Sequence, residues 1–410
     1  MISTRREFLQ QAAALGVSGG MAPNVADSFE PSEAVDYYEK LGVAKIINAA
    51  GPYTVFTASI MPPEVQAAVA FAANHPVRLR DLQTAAGEYV ARRVQCQAAL
   101  ISAGAASALT LGTAACMTVS NTQAAKDVPA RIGSLKNEIL IQKGHRLTYE
   151  HALEMCGAKL IEVESVKDYE DAFTGRTAMA FFFNAADEGR IAHADWLRLA
   201  HEQSVPCLLD AAGDIPPIAN LWNYTKMGFD LVAFSGGKGI RGPQNAGLLL
   251  GRRDLILAAT ANNNPNNRSI GRGMKVAKEQ IVGMVAALDW LLEQSDAQIE
   301  QEGRARADRI MAELRGLPIT TEIIVPPVAA HVPHLVVRYD DKQIPLKPAE
   351  IATMLRDGNP SIELHPGRAA GLRVEGSAVV VCPWMMKPGE DVVVGRRLRA
   401  VLSGASRGNM

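Results

Sequence analysis

Apolar residues in this 410-residue chain recur in short, almost uninterrupted runs. Such runs at 98–101, 138–142, 159–163, 177–183, 207–210, 231–234 and 246–250 predict seven strands. Their lack of apolar–polar alternation implies burial on both faces. Segments with helical spacing lie between most of them, for example 148–156 and 194–203. Strands alternating with helices predict an α/β fold with a mostly parallel, seven-stranded sheet covered on both faces. Upstream, 45–47 predicts a short strand, Pro62-Pro63-Glu64 opens an amphipathic helix, and 87–97 predicts a second helix. Proline suits a first helical turn because its missing N–H has no partner there. From 273 to 315 the pattern is helical, with Ile281, Val285 and Leu288 on one face. The remainder mixes strands at 335–338 and 378–382 with helices, as a small α+β domain would.

These patterns divide the chain into an arm at 27–60, a large domain at 61–300 and a small C-terminal domain at 301–410. Residues 1–26 form a separate unit. Arg5-Arg6, the Phe8-Leu9 pair and a short, weakly apolar run through Ala22 fit a twin-arginine export signal, which predicts a periplasmic location. A basic first turn of an amphipathic helix is the alternative, and would leave the protein in the cytoplasm. The twin-arginine route carries folded proteins, so a cofactor can be inserted before export.

The formal net charge of −1 provides no electrostatic footprint for nucleic acid or an anionic membrane. The five cysteines are scattered without a CxxC pair and lie mostly in apolar surroundings, as buried free thiols do. No histidine pair has helix spacing beside a carboxylate, so no metal site is expected.

The chemistry concentrates in 207–250. Asp210 ends one apolar run, and Lys238 follows another inside the turn Ser235-Gly236-Gly237-Lys238-Gly239. A strand-end carboxylate and a turn amine match the needs of pyridoxal phosphate (PLP): an amine for the cofactor aldehyde and an acid to keep the pyridine nitrogen protonated. The bland alternative for Lys238 is a solvated turn lysine. The small residues from Ser102 to Ser107 end another strand and open a helix, so their N–H groups could receive a phosphate. A tightly packed helix start that binds nothing reads the same way. No GxGxxG accompanies it, which disfavours a dinucleotide.

The segments INAAGPYT (47–54), LISAGAASALTLGTAAC (100–116), LLDAAGDIPP (208–217), FSGGKGIRGPQNAGLLLGRRDLI (234–256) and GRGMKVAKEQIVG (271–283) resemble fold-type I PLP enzymes. Within that group they are similar to selenocysteine synthase and the D-glucosaminate-6-phosphate ammonia-lyases. The resemblance implies a three-layer α/β/α large domain with a small C-terminal domain, a homo-oligomer, and PLP as cofactor. It assigns Lys238 to the cofactor aldehyde, Asp210 to the pyridine nitrogen and Ala212 to the ring. It assigns Ser102, Gly104, Ala105 and Ser235 to the phosphate, His145 to stacking on the ring, and Asn184 to the phenolic oxygen. Loop or second-layer roles remain open for His145 and Asn184. Arg268 and Arg272 face an anionic substrate group or form a solvated basic loop. Two departures stand out. An export signal replaces the tRNA-binding region of selenocysteine synthase, and Glu363-Leu364-His365 stands where the subgroup often has an arginine.

The expected activity is therefore a PLP-dependent lyase. It acts on a small amino acid or amino-sugar acid by α,β-elimination and releases ammonia and a keto acid. An aldolase, racemase or transferase of the same family uses the same core residues. A catalytically idle, exported binding protein is the reading of a different class.

Overall fold

The computed structural model describes residues 35–184, 190–369 and 371–407. The expected export signal and the first part of the arm lie outside the described residues. Residues up to Lys45 form one unit, with a single-turn helix α1 (Tyr37–Lys40). Asp36 caps it by accepting from the N–H groups of Tyr38 and Glu39. The chain from Ile46 onward forms the second unit.

That unit opens with β1 (Ile46–Ala49), α2 (Pro63–Ala73) and α3 (Leu79–Arg93). The sheet strands follow: β2 (Ala98–Ser102), β3 (Glu138–Gln142), β4 (Lys159–Val163), β5 (Thr177–Phe183), β6 (Cys207–Asp210), β7 (Leu231–Ser235) and β8 (Gly247–Gly251). Among them run α4 (Gly104–Thr118), α5 (His151–Glu154), α6 (Val166–Asp171), α7 (His193–Glu202) and α8 (Asn220–Met227). After β8 come α9 (Arg253–Asn262), α10 (Lys278–Leu292) and α11 (Asp296–Glu313).

The strands lie in the order β2-β8-β7-β6-β5-β3-β4, one for each predicted apolar run. They are parallel except β8, which is antiparallel to both neighbours. No helix separates β7 from β8, and a short connection can only reverse the chain. Because β8 reverses twice, β2 points the same way as β7.

Alternate strand residues face opposite layers. Leu100, Ile141, Phe181, Leu208, Ala233 and Leu249 pack under α4 and α9. Ile101, Leu140, Phe182, Leu209, Val232 and Leu248 pack on the other face with Trp196, Tyr224 and Leu288 of α7, α8 and α10. This is a three-layer sandwich. Gly112 allows α4 to lie close to the sheet, since a Cβ there would stand 2.4 Å from Leu208 Cδ1.

Two helix expectations change. The second helix, expected at 87–97, begins at Leu79. Gly87 is a packing contact inside it, because a Cβ there would meet the Ala99 carbonyl oxygen at 2.4 Å. The helical stretch 273–315 is two helices, divided where Ser295 caps α11 by accepting from the Gln298 N–H.

The C-terminal part contains β9 (Ile319–Ile324), β10 (His334–Tyr339), α12 (Pro348–Arg356), β11 (Ser361–Leu364), β12 (Arg368–Ala369), β13 (Leu372–Arg373), β14 (Ala378–Val381) and α13 (Glu390–Arg407). β10 is the centre of an antiparallel sheet with β9 and β14. β1 pairs in parallel with β11 in a separate two-stranded sheet, and its Ile47 and Ala49 share a core with Leu335 and Val381.

Candidate active site

Strands β2 to β7 all end at one edge of the sheet, where ligands of α/β folds collect. Register brings the candidate residues together there. Ser102 and Ser235 both pair with Gly247, one from each side. Phe183 pairs with Asp210. By strand alternation, Ser102, Phe183, Asp210 and Ser235 share the face of Leu100, Phe181, Leu208 and Ala233, the face that α4 covers. The first turn of α4 is therefore adjacent to them. Gly247 makes room for it, because a Cβ there would stand 2.5 Å from the Gly104 carbonyl carbon and 2.8 Å from the Ala105 nitrogen. Gly104 has φ +82°, a left-handed conformation that suits glycine. Its neighbour Ala103 provides no side-chain cap to α4, so the first N–H groups lack a side-chain acceptor. Ser102 Oγ donates to the Gly104 carbonyl at 2.9 Å. The half-buried Ser235 hydroxyl makes no hydrogen bond among the described residues. The open N–H groups of the first turn of α4 and the Ser235 hydroxyl thus make a cradle whose chemistry suits an anion.

Asp210 is buried, and its Oδ1 accepts from the Ala212 N–H at 2.9 Å. Its Oδ2 has no partner among the described residues. Burial raises its pKa to about 6, opposed by the Ala212 N–H and by the charge of Lys238. Lys238 is half-buried and makes no hydrogen bond or ion pair among the described residues. Its Nζ lies 3.8 Å from where a Cβ of Gly213 would stand, above the turn that follows Asp210. Close approach explains the glycines around it. A Cβ on Gly237 would meet Gln244 Cα at 2.6 Å, and one on Gly239 the Ile215 oxygen at 2.0 Å.

The other sequence candidates fall into two groups. His145 is buried behind β3, and its Nδ1 accepts from the Phe183 N–H at 3.2 Å. Burial, helped by His193, lowers its pKa to about 4, so the ring is neutral at pH 7. Asn184 follows Phe183, and its amide points into the protein. Nδ2 donates to Asp214 Oδ2 (2.6 Å) and Tyr224 Oη (2.9 Å), while Oδ1 lies 2.9 Å from His193 Nε2. Arg268 and Arg272 are exposed. Their loop is anchored on the middle and far end of α4: Gly271 lies against Leu111, Ile270 packs with Ala114 and Met117, and Asn262 bonds Thr118.

Sequence reasoning missed Asp214, His193 and Tyr224, which meet only through packing of separate elements. It also gave no role to the loop after β1. Asn48 ties that loop together by accepting from the N–H groups of Ala50 and Gly51. The loop then docks on the lysine turn, with the Ser59 N–H and Oγ both donating to the Gly237 carbonyl at 3.0 and 2.7 Å.

His201, Cys207 and Asp230 form a cluster with metal-ligand chemistry at the opposite edge of the sheet. It is already satisfied. Asp230 accepts from the Cys207 N–H (2.7 Å) and Arg252 (2.9 Å) and meets His201 at 3.0 Å. Burial also pushes the Cys207 thiol well above its ordinary range.

The cradle, the Asp210 oxygen without a partner and the unpaired Lys238 amine together fit a pyridine aldehyde that carries a phosphate. Comparison with known proteins agrees with this geometry. The model of the L-seryl-tRNA selenium transferase (SelA) family matches residues 46–302. The chain belongs to that family. It is a PLP-dependent enzyme family. The chain is 29% identical over 264 residues to a D-glucosaminate-6-phosphate ammonia lyase of Salmonella typhimurium, covering 62% of this chain and 69% of the relative. It is 26% identical over 380 residues to a Streptomyces 5'-C-glycyluridine monooxygenase-decarboxylase, covering 89% and 92%. The solved structure of D-glucosaminate-6-phosphate ammonia-lyase shares the fold, with a TM-score of 0.77 and 24% identity over 91% of this chain and all of that one.

Proposed function

We propose that the chain is a PLP-dependent carbon–nitrogen lyase that acts on a small amino acid or amino-sugar acid. The reaction is α,β-elimination: the substrate loses its α-proton and a β-substituent, and water hydrolyses the released unsaturated amine to ammonia and a keto acid. The observation that carries this reading is the grouping of Asp210, Lys238 and the Ser102–Ala105 cradle at one edge of the sheet. The ammonia-lyase relative supports the choice of reaction.

Bound there, PLP supplies an electron sink that makes the substrate α-proton removable. The first turn of α4 and the Ser235 hydroxyl hold its phosphate. Asp210 offers its open oxygen to the ring nitrogen. The neutral His145 ring, fixed by the Phe183 N–H, bounds the site. Lys238 takes the α-proton as a general base. The loop from Asn48 to Ile60 fixes the lysine turn from outside. With net charge −1, a small molecule rather than tRNA is the substrate we favour. A homo-oligomer and export through the twin-arginine route belong to the same proposal.

The test is borohydride reduction of the yellow protein followed by peptide mass spectrometry. PLP fixed on Lys238 is the expected result, and labelling at another lysine, or none, overturns it. Ammonia and keto acid released from candidate amino acids identify the reaction. The coverage of the Streptomyces relative favours a second reading, oxygen-dependent decarboxylation. Oxygen uptake with carbon dioxide release, and no ammonia, would select it.

A further inference from the structure

Asp214 closes the turn that begins at Asp210, its N–H donating to the Ala211 carbonyl. The side chain is buried at 2% exposure. Oδ2 accepts from Asn184 Nδ2 at 2.6 Å and from Tyr224 Oη at 2.9 Å. Oδ1 is buried and has no hydrogen-bond partner among the described residues. A buried carboxylate oxygen without a donor is costly and calls for a charge nearby. The cation that faces this carboxylate electrostatically is Lys238, which also faces Asp210. Its Nζ stands above Gly213, the residue before Asp214.

We infer that Asp214 is a positioning residue for Lys238: it holds the counter-charge of the Lys238 ammonium. The inference rests on the proposed role of Lys238 as the reacting amine. In that role Lys238 gains an N–H bond when it accepts the substrate α-proton and becomes an ammonium in a half-buried place. Asp210 is then committed to the pyridine nitrogen. Asp214 is the second carboxylate at the turn, and Asn184 and Tyr224 hold it in place without occupying its free oxygen. The titratable groups that face Asp214 are Lys238 after β7, Asp210 on β6, Tyr224 on α8 and, behind Asn184, His193 on α7. Burial raises the Asp214 pKa, and the two donors and Lys238 oppose that rise.

The experiment follows the Lys238 amine directly. The full chain, freed of cofactor so that the Lys238 amine is not tied up, is trace-labelled with acetic anhydride across a pH series, and the Lys238 peptide is quantified by mass spectrometry. Exposed Lys167 on α6 is the internal reference. Asp214→Asn keeps an oxygen for Asn184 and Tyr224 but removes the charge. The Lys238 labelling midpoint should fall by about one pH unit, the lower end of the effect of a close opposite charge. Asp214→Glu should stay near the parent. An unchanged midpoint in Asp214→Asn, with a parent-like near-UV circular dichroism spectrum, overturns the inference. If Asp214→Asn does not fold, Asp214→Ser makes the same comparison. Borohydride trapping separates the two ideas. PLP trapped on Lys238 with an unmoved midpoint removes the Asp214 role alone. A shifted midpoint without trapping supports the charge pairing and removes the cofactor reading.

Discussion

Asp210 is held in the folded chain at a pKa of about 6, against an ordinary value of 3.8, because its carboxylate is buried. The folded state therefore binds the proton more tightly than the unfolded state. That contribution to stability is complete below about pH 4 and is lost as pH rises through about 6. A shift of about two units corresponds to about 3 kcal/mol. Asp210→Asn should thus be more stable than the parent at pH 7.5 in the cofactor-free protein, and the gap should close toward pH 4. Thermal melts of both proteins at the two pH values check this. The same substitution should lower turnover, so stability and activity change in opposite directions. Asp210 and Lys238 were legible in the sequence because Asp210 ends one apolar run and Lys238 sits in the glycine-rich turn that follows another. Asp214 was not, since its significance depends on Asn184, Tyr224 and Lys238, which come from three other elements.

The turn before α4 depends on a glycine in a neighbouring strand. Gly247 on β8 faces the Gly104 backbone at a separation that no side chain fits. Gly247→Ala should displace that turn and cost about 1–3 kcal/mol, as overpacking in a filled site does. Affinity for PLP should fall with it, measured by absorbance titration beside a melt. Ala246→Gly, next to it, is a control whose side chain is not at the cradle. The glycine pattern was visible in the sequence, but its meaning was not. The second helix was read from Gly87, whereas Gly87 lies inside a helix that begins at Leu79 and marks contact with β2. The seven strands were legible because each is buried on both faces, and uniform burial leaves uniform apolar runs. The direction of β8 could have been read from the missing helix before it.

For the whole molecule, the small domain was the least legible part. Its strands are short, and β1 reaches its partner β11 across most of the chain, a pairing that no local pattern encodes. The arginine loop at 263–277 is similar: no local pattern encodes the contacts of Asn262 and Gly271 that anchor it on Thr118 and Leu111 of α4. A prediction at this scale concerns export. Residues 1–40 fused to a reporter should reach the periplasm only through the twin-arginine route, and Arg5→Lys with Arg6→Lys should keep it in the cytoplasm. Cell fractionation reads the result, and unchanged secretion would make the pair incidental. The place of β8 adds a constraint in time. β2 is the first sheet strand to leave the ribosome, and it meets the others only through β8, the last to leave. Until residue 251 has emerged, the Ser102 turn and Ser235 have nothing to bridge them. The Ser102 turn and Ser235 are therefore brought side by side only in a chain whose sheet has been closed through β8.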